Sequence, residues 1–273
     1  MGANCCIQNN DPYQKKLEKQ IGCRIQRFHT AEPNNNIYSK AIFYKQKDIL
    51  WKVHTSPTTF NHYNNIYNLE GGEQYLIKPH MNLHLDNLLY ATSMDLGICD
   101  MFTFLERPFE WKHIQKLLIN IANGIHWLHK QELVHYDIKL ENVIIIDNSA
   151  KLTDFDFTTS SKIQHKRGGT PEYTPTKIPS HVTNKGKKSD IYAFGKILCV
   201  IFLRLIEKKH VKRSDIPFAS KLFEDDFTRP HYKHTLTGSF KIWADICLQC
   251  CTKIPPDKIP LIDTFETIDI LNM

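Results

Sequence analysis

Four polar residues in the middle of the sequence have side chains suited to phosphate and metal chemistry. Asp137, Lys139 and Asn142 lie in one short stretch, and Asp154 follows soon after. An aspartate can accept a hydrogen bond and then a proton from an alcohol, while a lysine can neutralise charge on a phosphate. Carboxylate and amide oxygens are hard ligands of the kind that Mg²⁺ takes. Each aspartate alone would by default be a turn or cap residue, so only the set of four favours catalysis.

These residues belong to a series of sequence blocks. The blocks are residues 134–142 (VHYDIKLEN), 152–156 (LTDFD), 169–175 (GTPEYTP) and 189–195 (SDIYAFG). In this order they resemble the patterns H-R-D-x-K-x-x-N, D-F-G, G-T-x-x-Y-x-A-P-E and D-x-W-x-x-G of the eukaryotic-type protein kinase family. The resemblance covers roughly residues 23–270, and an ordered series is far more specific than one block. The compact size is also similar to that of kinases of large DNA viruses, baculoviruses among them.

The resemblance implies an α+β fold with two lobes. Residues 1–20 are expected to form a tail or a peripheral helix. A small β-rich N-terminal lobe would follow over about residues 21–94, and a larger, mainly helical C-terminal lobe over about residues 95–273.

The resemblance also implies Mg²⁺-dependent transfer of the γ-phosphate of ATP to a protein hydroxyl. Asp137 and Lys139 are then the catalytic residues, and Asn142 and Asp154 bind the nucleotide through Mg²⁺. The lysine two residues after the catalytic aspartate resembles serine/threonine kinases rather than tyrosine kinases, and Thr170 supports the same assignment. His135 in this block would be structural, packing under the catalytic loop.

In the N-terminal part, residues 49–53 (ILWKV) resemble the V-A-I-K strand, so Lys52 would contact the α- and β-phosphates. The alternative is a lysine on an edge strand that discourages aggregation. Glu70 fits the family spacing for a helix carboxylate that pairs with this lysine, and Glu73 is the rival. Two glycines between them make a regular helix there doubtful.

The stretch at residues 93–97 (SMDLG) resembles the hinge between the lobes. Backbone groups at Asp95 and Leu96 would then bind the adenine edge. Asp100 matches a position where an acid meets the ribose hydroxyls in this family. The alternative for Asp100 is a helix N-cap, and the two roles are compatible.

Several family features are missing or replaced. A Gly-rich phosphate loop is expected near residues 30–38, where the sequence has only 32–36 (EPNNN), so ATP binding would be weak or the loop held differently. Asp156 replaces the glycine of D-F-G. Lys177 replaces the glutamate of A-P-E, and Ile259 stands where its arginine partner would be, so both members of that ion pair are lost together.

Tyr136 replaces the arginine of H-R-D, which normally receives a phosphate from the activation loop. Its absence predicts activity that does not depend on activation-loop phosphorylation. The threonines and serines at residues 158–161 would then belong to a substrate platform rather than a switch.

Two alternatives to an active protein kinase remain open. The first is a pseudokinase that regulates a partner, which the missing glycines, Asp156 and Lys177 support. The second is a kinase of small molecules with the same fold, which the platform at residues 169–175 argues against. Glu141, beside the catalytic loop, is weakly compatible with basic peptide substrates.

Apolar periodicity predicts the elements that hold these residues. Residues 111–130 have apolar side chains at spacings of three and four, which indicates a helix. Residues 191–205 are apolar nearly all round, as in a helix buried at the centre of a lobe. Strands are predicted at residues 24–28, 37–44, 49–53 and within 75–94, and a helix at residues 58–70.

The 273 residues carry a formal charge of +6, which favours anionic partners without selecting one. The densest basic run, residues 185–188, is interpreted as a solvated loop, and no direct nucleic-acid binding is expected. The eight cysteines show no secreted pattern, so they are interpreted as reduced thiols in the cytoplasm. Cys247, Cys250 and Cys251 are interpreted as buried helix cysteines rather than metal ligands, because no matching second pair follows.

The first residues, MGANCC, resemble the start of doubly acylated proteins. Gly2 could take myristate, and Cys5 or Cys6 could take palmitate. One myristoyl chain anchors only marginally, so the adjacent cysteines matter to this hypothesis of membrane association. The alternative is an ordinary disordered start.

Overall fold

The computed structural model describes residues 11–28, 42–163, 169–175, 178–207 and 238–260. The chain divides into two compact units, residues 1–70 with 77–97 and residues 71–76 with 98–273. The first unit is rich in strands and the second contains the long helices, which confirms the predicted α+β class. None of the helices described has the length and apolar character that a bilayer crossing requires.

The first unit is built on a five-stranded antiparallel sheet. Its elements are α1 (Pro12–Ile21), β1 (Gln26–Phe28), β2 (Ile42–Gln46), β3 (Ile49–His54), α2 (Pro57–Tyr67), β4 (Pro79–Asp86) and β5 (Leu89–Asp95). The strand order is β1-β2-β3-β5-β4, with every neighbouring pair antiparallel. β3 is therefore the central strand, and β1 and β4 are the edges.

Helix α1 closes one side of the core of this unit. One carboxylate oxygen of Asp11 caps the helix by accepting the backbone N–H of Tyr13 at 3.1 Å. The other accepts the hydroxyl of Tyr44 on β2 at 2.8 Å, which ties the helix start to the sheet. The buried cluster behind it consists of Leu17, Ile25, Tyr44, Trp51, Val53, Leu89 and Ala91. Residues 1–10 of the predicted N-terminal segment lie outside the described part, and α1 begins at Pro12 and buries Leu17 in the core.

Predicted elements of the first unit occur with shifted ends. The predicted strand at residues 49–53 is β3, and the helix predicted at residues 58–70 is α2, which ends earlier. The helix ends at Tyr67, with Asn68 as its C-cap, because the next backbone N–H, that of Leu69, donates to the carbonyl of Ile66 at 3.2 Å, which tightens the last turn before the glycines. The region of the expected Gly-rich loop, residues 30–38, lies outside the described residues.

The second unit combines helices with two small antiparallel sheets. Its elements are β6 (Cys99–Asp100), α3 (Met101–Phe104), α4 (Trp111–Lys130), β7 (Leu133–Val134), β8 (Val143–Ile146), β9 (Ser149–Leu152), β10 (Thr159–Ser160), α5 (Lys185–Glu207) and α6 (Gly238–Cys250), with 3₁₀ turns at Leu140–Asn142 and Pro171–Tyr173. One sheet has the order β6-β8-β9, and the other pairs β10 with β7. The block at residues 134–142 lies between β7 and β8, and the block at residues 152–156 lies between β9 and β10, whereas the block at residues 169–175 follows β10 and the block at residues 189–195 lies on α5.

Two long helices form the apolar interior of this unit. The predicted helix at residues 111–130 is α4, and its buried positions include Ile114, Leu117, Leu118, Ile121, Ile125 and Leu128, which confirms the periodicity. The predicted helix at residues 191–205 is part of α5, which begins earlier, at Lys185.

The longer α5 corrects the interpretation of residues 185–188 as a solvated loop. These residues form its first turn. Lys188 is only 5% exposed, and its ammonium group donates to the carbonyl of Pro255 at 2.7 Å and lies 2.9 Å from the carboxylate of Asp257. The lysine is buried because these two oxygens replace the water that its charge would otherwise need.

Candidate active site

The carboxylate of Asp190, near the start of α5, fixes the backbone of the catalytic loop. It accepts hydrogen bonds from the backbone N–H of His135 at 2.9 Å and of Tyr136 at 2.8 Å, and it lies 3.0 Å from Nε2 of His129. Asp190 is 1% exposed, so these bonds are screened little by water. They hold Tyr136 at a φ of 63°, which turns the chain immediately before Asp137.

His135 packs beneath the loop, as expected for a structural residue. It is fully buried, its Nε2 lies 3.1 Å from the carbonyl oxygen of Thr153, and its ring centroid is 5.2 Å from that of Phe155. Its Nδ1 accepts the backbone N–H of Asp137 at 3.3 Å. One imidazole therefore joins the segment that carries Asp137 to the segment that carries Asp154.

The carboxylate of Asp137 is the centre of a cluster of polar groups. Its Oδ1 accepts hydrogen bonds from the backbone N–H of Thr170 at 2.9 Å and from the hydroxyl of Thr170 at 2.7 Å, and its Oδ2 accepts one from the amide of Asn142 at 2.9 Å. The ammonium group of Lys139 lies 3.4 Å from Oδ2 and donates to the hydroxyl of Thr170 at 3.1 Å. Asp137 is 4% exposed, so the structure brings Asp137, Lys139 and Asn142 together in a protected position.

Asn142 and Asp154 offer oxygen atoms that suit Mg²⁺. The amide nitrogen of Asn142 donates to the backbone carbonyl of Asp137 at 2.8 Å as well as to its carboxylate, so the amide oxygen is the atom that a cation would use. Asp154 follows β9 at a φ of 62°, and the backbone N–H of Thr153 donates to the carbonyl of Asn142 at 3.0 Å. This bond ties Asn142 to the residue just before Asp154, and the oxygen atoms of Asn142 and Asp154 are of the kind that a hard divalent ion prefers.

Asp156 fits its position without strain. Asp156 does not have a positive φ, whereas Asp154 does. The glycine of the family pattern is therefore not required here by backbone geometry.

Gly169 sets the approach of Thr170 to Asp137. Its φ is 101°, and a Cβ atom there would lie 2.2 Å from the carbonyl oxygen of Tyr136. Only glycine allows this contact, because both the dihedral and the space exclude a side chain. The segment continues into the 3₁₀ turn, where the hydroxyl of Thr174 donates to the carbonyl of Thr170 at 2.9 Å.

Lys52 lies in the first unit, on the central strand β3, where it is 4% exposed. The edge-strand alternative is therefore wrong, because β3 pairs with β2 on one side and β5 on the other. Its ammonium group donates to the hydroxyl of Tyr63 on α2 and lies 4.1 Å from the centroid of that ring. Burial and the charge of Lys52 lower the pKa of the neighbouring His54 to about 3, so this histidine is neutral at pH 7.

The carboxylates expected beside Lys52 are not on a helix. No aspartate or glutamate occurs in α2, and Glu70 lies in the turn that follows it. Glu73 belongs to the second unit, where its backbone carbonyl accepts a hydrogen bond from Lys151 at 2.9 Å. The residue of α2 that contacts Lys52 is Tyr63, and a nucleotide-binding role for Glu70 stays a prediction.

The residues predicted to contact adenine and ribose have local partners. Asp95, at the end of β5, lies 2.6 Å from Nε2 of His80, and the backbone N–H of Leu96 donates to the carbonyl of Asp48 at 2.8 Å. Asp100 caps α3 by accepting the backbone N–H of Thr103 at 2.7 Å. The N-cap alternative for Asp100 is therefore confirmed, while its role toward ribose stays a prediction.

Residues that the sequence did not single out complete these arrangements. The sequence places Asp190 in a family motif but predicts no contact for it. It uses Thr170 only as support for the serine/threonine substrate class. No sequence signal points to Tyr63, because it approaches Lys52 through the packing of α2 on the sheet.

Comparisons with known proteins support the same assignment. A family model described as "Protein kinase domain" matches residues 80–219, which is 140 of the 273 residues. The matched range contains Asp137, Lys139, Asn142 and Asp154, and it begins after Lys52.

Similar proteins are protein kinases by name. A dual serine/threonine and tyrosine protein kinase of Apis mellifera is 35% identical over 112 residues, which cover 39% of this chain and 11% of that protein. The serine/threonine-protein kinase PTK2/STK2 of Saccharomyces cerevisiae is 28% identical over 214 residues, or 60% of this chain and 25% of that protein. A probable serine/threonine-protein kinase of Dictyostelium discoideum is 24% identical over 194 residues, or 68% of this chain and 44% of that protein. The chain thus spans less than half the length of each of these relatives, and it belongs to the protein kinase domain family.

Proposed function

We propose that the chain is an active serine/threonine protein kinase that uses ATP and Mg²⁺. The observation that carries this proposal is the cluster around Asp137, where a buried carboxylate, a lysine and an amide meet within hydrogen-bond distance. Such a cluster can hold an acceptor hydroxyl, neutralise phosphate charge and supply an oxygen to Mg²⁺. The serine/threonine kinases among the similar proteins agree with the substrate class.

In this proposal the roles are divided among the predicted residues. Asp137 accepts the proton of the acceptor hydroxyl and Lys139 neutralises the γ-phosphate, while Asn142 and Asp154 hold Mg²⁺. Lys52 binds the nucleotide phosphates. The likeness to kinases of large DNA viruses stays a prediction.

The test is phosphate transfer from labelled ATP to a panel of peptides. The panel contains a basic peptide with one serine, the same peptide with threonine, and the same peptide with tyrosine. Label on the serine and threonine peptides, and none on the tyrosine peptide, is the expected result. Uncharged and acidic versions of the serine peptide test the preference for basic substrates. A pseudokinase would label none of them, and its melting temperature would not change with millimolar Mg-ATP.

We also propose that activity does not depend on activation-loop phosphorylation. Tyr136 stands where the family has arginine, and a phenol carries no positive charge at any pH of the assay, so it cannot bind a phosphate as a cation. Thr158 and Thr159 are 3% and 8% exposed, and Thr159 pairs with Val134 in the β10–β7 sheet. Phosphatase treatment before the assay should leave the rate unchanged, and a large loss of rate would reject this part.

The N-terminus carries a separate proposal, which concerns residues outside the described part. Acylation at Gly2 and at Cys5 or Cys6 would bring a cytoplasmic kinase to a membrane surface, since two acyl chains anchor far better than one. Mass spectrometry of the native protein tests this. An N-terminal peptide with myristate and palmitate is expected, and an unmodified glycine would reject the proposal.

A further inference from the structure

Three cysteine side chains from two helices meet in the second unit, away from the catalytic loop. The sulfur of Cys199 on α5 lies 3.2 Å from that of Cys247 on α6 and 3.6 Å from that of Cys251, just past the end of α6. All three sulfurs lie within 4.8 Å of one another. The sequence alone favours buried helix cysteines over metal ligands for Cys247, Cys250 and Cys251, because Cys199 is distant in sequence and is brought to them only by helix packing.

The two helices can approach this closely because of one glycine. Gly195 lies one turn before Cys199 on α5, and a Cβ atom there would be 2.7 Å from the Cβ of Cys250 and 2.8 Å from the sulfur of Cys251. Cys247 and Cys251 are one turn apart, and the backbone N–H of Cys251 donates to the carbonyl of Cys247 at 3.0 Å, so both sulfurs lie on the same side of the turn.

The surroundings of the sulfurs favour a soft metal ion. Cys199 and Cys247 are fully buried, and Cys251 is half-buried. Thiolates select Zn²⁺ and Cu⁺ over hard ions. Two sulfurs that bind one zinc ion at about 2.3 Å each lie about 3.8 Å apart in a tetrahedral site. Compared with that spacing, the Cys199–Cys247 sulfurs would move apart by about 0.6 Å and the Cys199–Cys251 sulfurs by about 0.2 Å.

The charges nearby also suit thiolate ligands. Lys196 is next to Gly195 on α5 and is 2% exposed, so its cation is a buried charge close to the sulfurs. Three thiolates with Zn²⁺ or Cu⁺ leave a net negative charge, which this lysine offsets.

We propose that Cys199, Cys247 and Cys251 together bind one Zn²⁺ or Cu⁺ ion that links α5 to α6. The role of the ion is structural, because it joins two packed helices at a distance from the catalytic cluster. Among the residues described, only these three offer ligands to the site. Zinc would therefore complete its coordination with water, whereas Cu⁺ is satisfied by three sulfurs. This site is independent of the proposed kinase activity.

Metal titration of the full chain tests the proposal. The protein is reduced and freed of metal, in a background where Cys5 and Cys6 are serine so that the N-terminus contributes no thiol. Zn²⁺ and Cu⁺ are then added separately, each in competition with a coloured chelator of that ion. One ion per chain is expected, together with a rise in melting temperature. Binding of zinc only or copper only supports the proposal and decides the ion, and binding of neither rejects it.

Single substitutions decide which sulfurs bind. Cys199→Ser, Cys247→Ser and Cys251→Ser should each weaken binding by at least about tenfold. Cys250→Ser is the matched control, since Cys250 is buried in the same helix but outside the sulfur cluster, and it should bind as tightly as the parent. Equal loss in Cys250→Ser, or unchanged binding in Cys251→Ser, would reject the assignment.

A spectroscopic measurement on the unsubstituted chain tests the site without relying on variants, which could fail to fold. Cobalt(II) is added to the unsubstituted chain, where a thiolate charge-transfer band reports sulfur ligation directly. X-ray absorption of the zinc or copper form then counts the sulfurs. Three sulfurs at one ion agree with the proposal, and an ion bound by nitrogen and oxygen alone contradicts it.

Discussion

Thr170 holds the carboxylate of Asp137 through both its backbone and its side chain, with the N–H at 2.9 Å and the hydroxyl at 2.7 Å from the same oxygen. The hydroxyl also accepts a hydrogen bond from Lys139 at 3.1 Å. A single threonine thus links the two predicted catalytic residues. The hydroxyl of Thr170 thus has a carboxylate on one side and a cation on the other. The acceptor hydroxyl of a substrate would have the same two neighbours.

The hydroxyl of Thr170 should increase the rate of phosphate transfer. Thr170→Val keeps the size of the side chain but removes the hydroxyl, so Lys139 and Asp137 lose their link. We expect kcat to fall by about tenfold to a hundredfold while KM for ATP stays within about twofold. Steady-state kinetics measure both constants. Thr170→Ser retains the hydroxyl and should stay close to wild type, and equal effects of valine and serine would show that the hydroxyl is not used.

Gly169 should be required for the same contact. In Gly169→Ala, the Cβ atom would lie 2.2 Å from the carbonyl oxygen of Tyr136, so the segment must move away from Asp137. We expect a loss of about 1–3 kcal/mol in the free energy of unfolding and a fall in kcat like that of Thr170→Val.

The control for this substitution is Gly22→Ala, at the end of α1. Gly22 also has a positive φ, of 69°, but no atom lies within 4 Å of a Cβ placed there. This variant carries the backbone strain without the clash, so it should lose some stability and keep its kcat. If both variants lose kcat equally, the contact with Tyr136 is not what positions Thr170.

Asp190 should contribute strongly to stability. Asp190→Asn replaces an oxygen that accepts backbone hydrogen bonds by an amide group that cannot, which leaves buried donors of the catalytic loop without an acceptor. We expect a loss of at least about 3 kcal/mol in the free energy of unfolding, measured with urea. Asp86→Asn is the control. Asp86 and its partner Lys16 are 40% and 50% exposed, so this variant should lose far less stability than Asp190→Asn. Similar losses in the two variants would contradict the role of Asp190.

His54 should make the stability of the protein depend on pH. Burial, and then the charge of Lys52, lower the pKa of His54 from its ordinary value of 6.5 to about 3. Below pH 6.5 this histidine is therefore protonated in the unfolded chain but neutral in the folded protein. Stability therefore falls as the pH decreases from about 6.5 toward 3, by about 1.4 kcal/mol per pH unit from this residue.

Urea unfolding at several pH values between 7 and 5 measures this slope. His54→Gln should remove this contribution, while the control His181→Gln, at an exposed histidine, should keep it. Identical slopes for wild type and His54→Gln would show that the buried histidine does not control the pH dependence.

The extent to which sequence predicts this structure differs between its parts. Helix α4 is predicted correctly, because its apolar positions repeat at the helical period. The spacing of Asp137, Lys139 and Asn142 also suffices to predict that they meet, since all three lie in one short loop. Contacts between distant segments are different. Tyr63 reaches Lys52, and Cys199 reaches Cys247, only through the packing of one element on another, which no local pattern records.

Phosphate transfer by the Asp137→Asn variant is the most direct test of the proposed activity. Asparagine has nearly the same shape as aspartate but cannot take the proton of the acceptor hydroxyl, whereas Asn142 and Asp154 remain to bind Mg-ATP. We expect the variant to lose at least about a hundredfold in kcat on the basic serine peptide, and to keep the thermal shift that Mg-ATP gives in the wild type. Activity in Asp137→Asn equal to that of the wild type would contradict the assignment of Asp137 as the catalytic residue.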